Sequence, residues 1–238
     1  MKLSLVITLL IAGSFAAFGQ TAMPRMVSAE PGNGKVGDLI AITGEVASPY
    51  LWALIAGLSA VALFGVHAIA PDLARERYSP PTGGLDGTLL WWVRPIAFAA
   101  LVFALIDSGR WHLSPSMAAP WRIAGIAAFL VGIATFVYAM SVNRFFSSVV
   151  RIQEDRGHHL VDHGPYARVR HPGYVGMLLA YAALPLALGS WWTLLPTTIL
   201  LAFGLHRVWI EDRFLAVNLP GYRDYATRVP YRLLPGVW

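Results

Sequence analysis

From residue 49 onward the chain alternates long apolar runs with short polar ones, the runs falling at about 49–70, 88–106, 119–141, 173–188 and 190–209. A helix that crosses a bilayer needs about 20 apolar residues, with a range of about 17–25, and the first three runs qualify. The last two are separated by Gly189-Ser190, which predicts a tight helical hairpin. Its first arm is short and carries Pro185, so it tilts, kinks or spans incompletely. Backbone polar groups in lipid must be satisfied within the chain, so helices are expected throughout. The predicted fold is therefore all-α, a polytopic integral membrane protein with five core transmembrane helices, the last two paired as a hairpin. A further apolar run at residues 3–19, behind Lys2, reads either as a signal peptide or as an additional first span. Residues 20–47, punctuated by Pro24, Pro31 and several glycines, read as a loop. The GxGxxG there, Gly32 to Gly37, lacks the preceding strand that a dinucleotide site requires and is taken as chance.

Composition agrees with a membrane chain. Hydrophobic residues make up 56% and charged residues 13% of the 238, against roughly a quarter charged in soluble domains. Mean hydropathy is +0.56. The absence of cysteine excludes disulfides, a thiolate nucleophile and a zinc–thiolate site. The net charge of +5 resides in arginine-rich loops rather than in a nucleic-acid surface, so no nucleic-acid partner is expected. Arg144, Arg151, Arg156, Arg168 and Arg170 lie in the 142–172 loop, and Arg213, Arg223, Arg228 and Arg232 follow the hairpin. A hairpin returns the chain to the face it left, so both segments share one face, which the positive-inside rule makes cytoplasmic. Counting back puts 71–87 inside, and 107–118 and 20–47 outside. Arg94, beside Trp91 and Trp92, is expected to snorkel to the interface. The organisation predicted is residues 1–19 as signal peptide or span, 20–47 as an extracytoplasmic loop, 48–118 as N-terminal transmembrane helices, and 119–238 as a core with a site on the cytoplasmic face. The setting fits a bacterial inner membrane.

Polar chemistry concentrates at that face. Pro172 suits the first turn of a helix, and the free N–H groups of the helix start, next to Arg170 and His171, suit an anionic group. The same residues also read as a capped helix with a positive-inside anchor. Arg207 and Glu211 are four apart and share a helix face. On an exposed helix end they form an ordinary ion pair, but the hairpin brings them towards His171 and Tyr174, where Glu211 can face an ammonium and Arg207 an anion. Four histidines cluster at 158, 159, 163 and 171, yet no familiar ligand spacing accompanies them, and no metal is assigned. Tyr222 and Tyr225, in LPGYRDYATRVP, read as interfacial anchors of a surface helix.

The motifs HHLV at 158–161, GPY at 164–166, RHPGY with Gly176, Glu211-Asp212 with Leu215, and the closing GYRDYATRVPYRLLPG resemble the isoprenylcysteine carboxyl methyltransferase and phospholipid methyltransferase family. The resemblance covers about residues 119–238. It implies S-adenosylmethionine as cofactor, held without a Rossmann domain at the cytoplasmic edge. By motif, Gln153, His158, His159, Leu160 and Val161 would contact the cofactor, partly through backbone, and Tyr166, His171, Pro172, Gly173, Tyr174 and Glu211 would line the same pocket; the helix start with Arg170 and His171 suits the cofactor's carboxylate. Arg207 would meet the acceptor, and Arg207, Glu211 and His171 would carry the catalytic work. The family often has two glutamates where this chain has Glu211-Asp212, which leaves the role of the second carboxylate open. The implied reaction is methyl transfer to an amphipathic or lipid-like acceptor; its O-, N- or S-nature is not specified. The alternatives are an NADPH-dependent enzyme like the sterol reductases, or a non-catalytic assembly or regulatory protein of the same fold.

Overall fold

The computed structural model describes residues 49–78 and 87–238, apart from the side chains of residues 78, 87–91, 94, 109 and 110. The expectations for residues 1–19, for the 20–47 loop with its glycine motif and for the Arg94 side chain fall outside this described part. Seven α-helices are described: α1 (Pro49–Ala68), α2 (Pro71–Tyr78), α3 (Gly87–Ile106), α4 (Ala119–Val142), α5 (Pro172–Leu188), α6 (Leu194–Asn218) and α7 (Tyr222–Arg228). The described residues contain no strand, in agreement with the all-α expectation. Helices α1, α4 and the stretch Trp191–Asn218 are long and apolar enough to cross a membrane, while Pro95–Ile106 within α3 and all of α5 are shorter apolar helices. The 17 residues of α5 rise about 25 Å, short of a hydrocarbon core of about 30 Å.

The hairpin forms where the sequence places it. Pro172 opens α5, and Gly189 closes it in the left-handed conformation (φ +71°), its amide bonded to the Leu186 carbonyl. A residue with a Cβ is strained there. One turn of 3-10 helix, Trp191–Thr193, then leads into α6.

Helices α4 and α5 meet backbone to backbone. A Cβ built on Gly176 would lie 2.4 Å from the Gly132 carbonyl oxygen and 2.6 Å from the Phe136 amide nitrogen. One on Gly132 would lie 2.6 Å from the Gly176 oxygen, and one on Gly125 2.4 Å from the Ala187 nitrogen. With Ala180, Ala183 and Ala187, all buried, these form the small-residue seam that lets apolar helices approach when water supplies no driving force. Gly176→Val is expected to lower stability by about 1–3 kcal/mol or more through overpacking, measured as the unfolding midpoint of the detergent-solubilised chain, whereas Val131→Ala on the exposed face of α4 changes it little.

The two ends of the bundle are held differently. At one end Asp107, fully buried, accepts bonds from the Leu113 and Ser114 amides (2.8 and 3.0 Å), the Ser114 hydroxyl (2.6 Å) and the Ser190 hydroxyl. The 107–114 connection and the hairpin turn therefore share an end, as the span count predicts. At the other end α2 grips the loop after α4. Glu76 takes both Arg151 Nε and Nη2 (3.1 and 3.0 Å), and Asp72 takes Arg144 (3.1 Å) and Arg156 (2.6 Å). The hydrogen bond from Arg156 is the main reason the Asp72 carboxyl is held down to about 2.

Candidate functional site

The loop after α4 turns back over the ends of α5 and α6, and the chain beyond α6 returns to the same place. The Arg170 and His171 amides donate to the Tyr231 and Arg232 carbonyls (3.0 and 2.9 Å), so residues 229–233 form a strap along the entry to α5. Between these segments lies a cavity of about 490 Å³, within the usual range for small-molecule sites, about 300–1,000 Å³. Its polar end is lined by His158, His159, Tyr166, His171, Tyr174, Arg207 and Glu211, with Leu160, Val161 and Gly173 between them. Its other end runs between helices and is walled by Val93, Leu101, Phe129, Ile133, Leu184 and Phe203.

The hairpin brings its two arms together as expected. Tyr174 Oη, at the start of α5, donates to Glu211 Oε2 at 2.7 Å. Arg207, one turn earlier on α6, reaches the loop, its Nη2 donating to the Ser148 carbonyl at 2.6 Å. A carboxylate and a guanidinium thus face the same space from one helix face.

Three of the expected contact residues are placed differently from the others. Gln153 is fully buried and stands behind the wall: Nε2 donates to the Phe145 carbonyl at 2.6 Å and Oε1 accepts from Arg156. Pro172 is likewise buried and absent from the lining. Arg170 reaches the lining, but its guanidinium is committed to Asp212 (Nε–Oδ1 2.8 Å, Nη2–Oδ2 3.2 Å) and to the Val229 and Pro230 carbonyls (both 2.8 Å). The Phe146 ring packs against Gly173, in the space that a Cβ would take.

Asp212 is the hub of this region. Besides Arg170 it accepts from Tyr222 Oη (2.8 Å) and Arg232 Nε (2.8 Å), and its Oδ1 lies 3.2 Å from His171 Nε2. Tyr222 and Tyr225 are therefore not interfacial anchors. Both are buried, and Tyr225 Oη donates to the Tyr166 carbonyl at 2.7 Å. Burial first, then the Asp212 charge, push the Tyr222 phenol far above its usual range, so it stays a donor. The spacing of the two tyrosines, three apart in a short helix between Leu219 and Val229, matches their common packing face.

The HHLV segment is organised by a residue that the motifs did not single out. Phe145 stacks on His158 (centroids 4.6 Å apart, 29° between planes) and meets His159 edge-on (4.8 Å, 80°). The Gln153 amide donates to His158 Nδ1 at 3.3 Å. Burial, followed by the charges of His159, Arg151 and Arg156, lowers the His158 pKa to about 4, so the ring is neutral at physiological pH. Its folded-state pKa lies below its ordinary value of 6.5, so protons favour the unfolded chain in that window. Stability is complete above about 6.5 and falls as pH drops towards about 4. A His158→Gln chain should show a flatter dependence of unfolding midpoint on pH across this interval.

Residues 121–219 match the family model of the phospholipid methyltransferases. A probable protein-S-isoprenylcysteine O-methyltransferase of Oryza sativa subsp. indica is 29% identical over 140 residues, 55% of this chain and 71% of that protein. Its counterpart in Oryza sativa subsp. japonica gives the same figures. The protein-S-isoprenylcysteine O-methyltransferase of Schizosaccharomyces pombe is 36% identical over 88 residues, 36% of this chain and 37% of that protein. The matched segment runs from the first turn of α4 to the end of α6 and so contains the seam, the loop and the hairpin that build the cavity. Residues 121–219 are thus similar to the phospholipid methyltransferases, and the curated relatives that the chain resembles are named as methyltransferases.

Proposed function

We propose that the protein transfers the methyl group of S-adenosylmethionine to an acceptor with an apolar tail, at the cytoplasmic face of the membrane. The observation that carries this reading is one cavity with two chemistries: charged and aromatic groups at the loop end, and apolar side chains from α3, α4, α5 and α6 at the other. S-adenosylmethionine, when bound, supplies an electrophilic methyl on a cationic sulfur. The residues present suit it. Glu211 offers a carboxylate, oriented by Tyr174, for an ammonium, and the rings of Tyr166, Tyr174 and Tyr222 offer π faces to a cation. The Arg170 commitment to Asp212 moves that residue from cofactor ligand to scaffold.

In-line methyl transfer chiefly needs alignment and exclusion of water, which a closed, oriented site supplies as effective concentration. Tyr174, fixed by Glu211, and His171, fixed by Asp212, hold one wall. Arg207 orients an anionic acceptor group from the other, and a carboxylate acceptor would need no base. The arginine-rich loops support the cytoplasmic orientation, and the names of the relatives support a lipid-modified acceptor.

Incubating native membranes with methyl-labelled S-adenosylmethionine, with N-acetyl-S-farnesylcysteine as added acceptor, tests the reading. Label should appear in an apolar product. Arg207→Ala should lower turnover about 100-fold or more while S-adenosylmethionine still binds. Binding of NADPH in place of S-adenosylmethionine would favour the reductase alternative.

A further inference from the structure

Helix α2 lies outside the segment matched by the family model, yet it holds the loop on which the site depends. Glu76 is almost fully buried and accepts from Arg151 twice and from the Ser147 hydroxyl (2.9 Å). Arg77, next along, donates to the Phe146 and Ser147 carbonyls (3.2 and 3.4 Å) and lies over the Phe136 and Phe146 rings (5.4 and 5.2 Å). The Ser148 hydroxyl returns a bond to the Arg77 carbonyl (3.4 Å). The next carbonyl, that of Ser148, accepts Arg207 Nη2 at 2.6 Å. Three successive carbonyls, 146 to 148, are thereby clamped between a guanidinium from α2 and one from α6, and both arginines line the cavity.

We propose that Glu76 is a positioning residue for Arg207, acting through the 146–151 stretch. A bidentate, partly buried carboxylate–guanidinium pair fixes direction as well as distance. With Arg151 and Ser147 held by Glu76, the Ser148 carbonyl has one place to be, and Arg207 is aimed from it. Loss of the clamp lets this stretch drift, and a small misplacement of an orienting group is costly to a reaction that runs on alignment. The kinetic part of the proposal rests on the methyltransferase reading; its structural part does not.

The test uses the full chain in lipid nanodiscs, with labelled S-adenosylmethionine and N-acetyl-S-farnesylcysteine. Glu76→Gln is expected to lower kcat/KM for the acceptor about tenfold, leave the S-adenosylmethionine Kd within about twofold, and have less than about a twofold effect in an Arg207→Lys background. Amide exchange at 146–151 should rise in Glu76→Gln. Unchanged kinetics, or an effect that multiplies independently with Arg207→Lys, would overturn the proposal. If the unaltered protein does not methylate the probe, the proposed function fails instead, and amide exchange decides this inference: no rise at 146–151 overturns it. Should Glu76→Gln not accumulate, Arg151→Lys keeps the charge and removes the bidentate contact. The same non-additive pattern is then expected at about three- to fivefold, and its absence overturns the proposal.

Discussion

Replacing Glu211 by Gln should weaken S-adenosylmethionine binding by about 10- to 100-fold, the range expected for losing a hydrogen bond to a charged group. The side chain keeps its shape, and Tyr174 Oη retains an oxygen to bond at 2.7 Å, so the fold is not the variable. What changes is the negative charge at the loop end of a cavity whose neighbouring groups are cationic or neutral: Arg207 belongs to the same helix face, and His158 is kept neutral by burial. An ammonium has then lost its counter-charge. Calorimetry on the purified chain measures the loss directly, and an unchanged Kd would remove Glu211 from the donor site.

The second large effect concerns stability. Asp212→Ala strips the counter-charge from Arg170, whose side chain is only 6% exposed, and removes the partner of Arg232 and the Tyr222 hydroxyl. Breaking a buried ion pair from one side costs about 3–5 kcal/mol, because the remaining charge stays desolvated. The strap at 229–233 should loosen with it, since Arg170 also holds the Val229 and Pro230 carbonyls. A markedly lowered unfolding midpoint and earlier proteolysis within the strap are expected. Asp212→Asn, which can still accept from Tyr222, should fall between the two. A cost below about 1 kcal/mol, typical of unremarkable surface positions, would contradict the hub.

The helices were legible because their signals are local. Apolar runs gave α1, α4 and the hairpin, Pro172 and Gly189 marked the ends of α5, and the i,i+4 spacing put Arg207 and Glu211 on one face. The site was legible as a list of motif residues, but not as a set of partners. Nothing local distinguishes an arginine that waits for a ligand from one that a distant aspartate already holds, and Arg170 and Asp212 are 42 residues apart. For the same reason nothing local marks α2: Asp72 and Glu76 acquire meaning only from Arg144, Arg151 and Arg156, roughly seventy to eighty-five residues later. Tyr222 and Tyr225 looked interfacial because an amphipathic helix shows one apolar face whether it rests on lipid or on protein. Gly125 and Gly132 stand at helical spacing in the sequence, but that they meet Gly176 and Ala187 of α5 is a tertiary fact.

A structure of the full chain with S-adenosylhomocysteine bound tests the central claim most directly. The ligand's amino group should lie within hydrogen-bonding distance of Glu211, about 3 Å, with the sulfur facing the apolar end of the cavity and Arg207 beyond it. A ligand seated elsewhere, or one in this cavity with its amino group turned away from Glu211, would contradict the account.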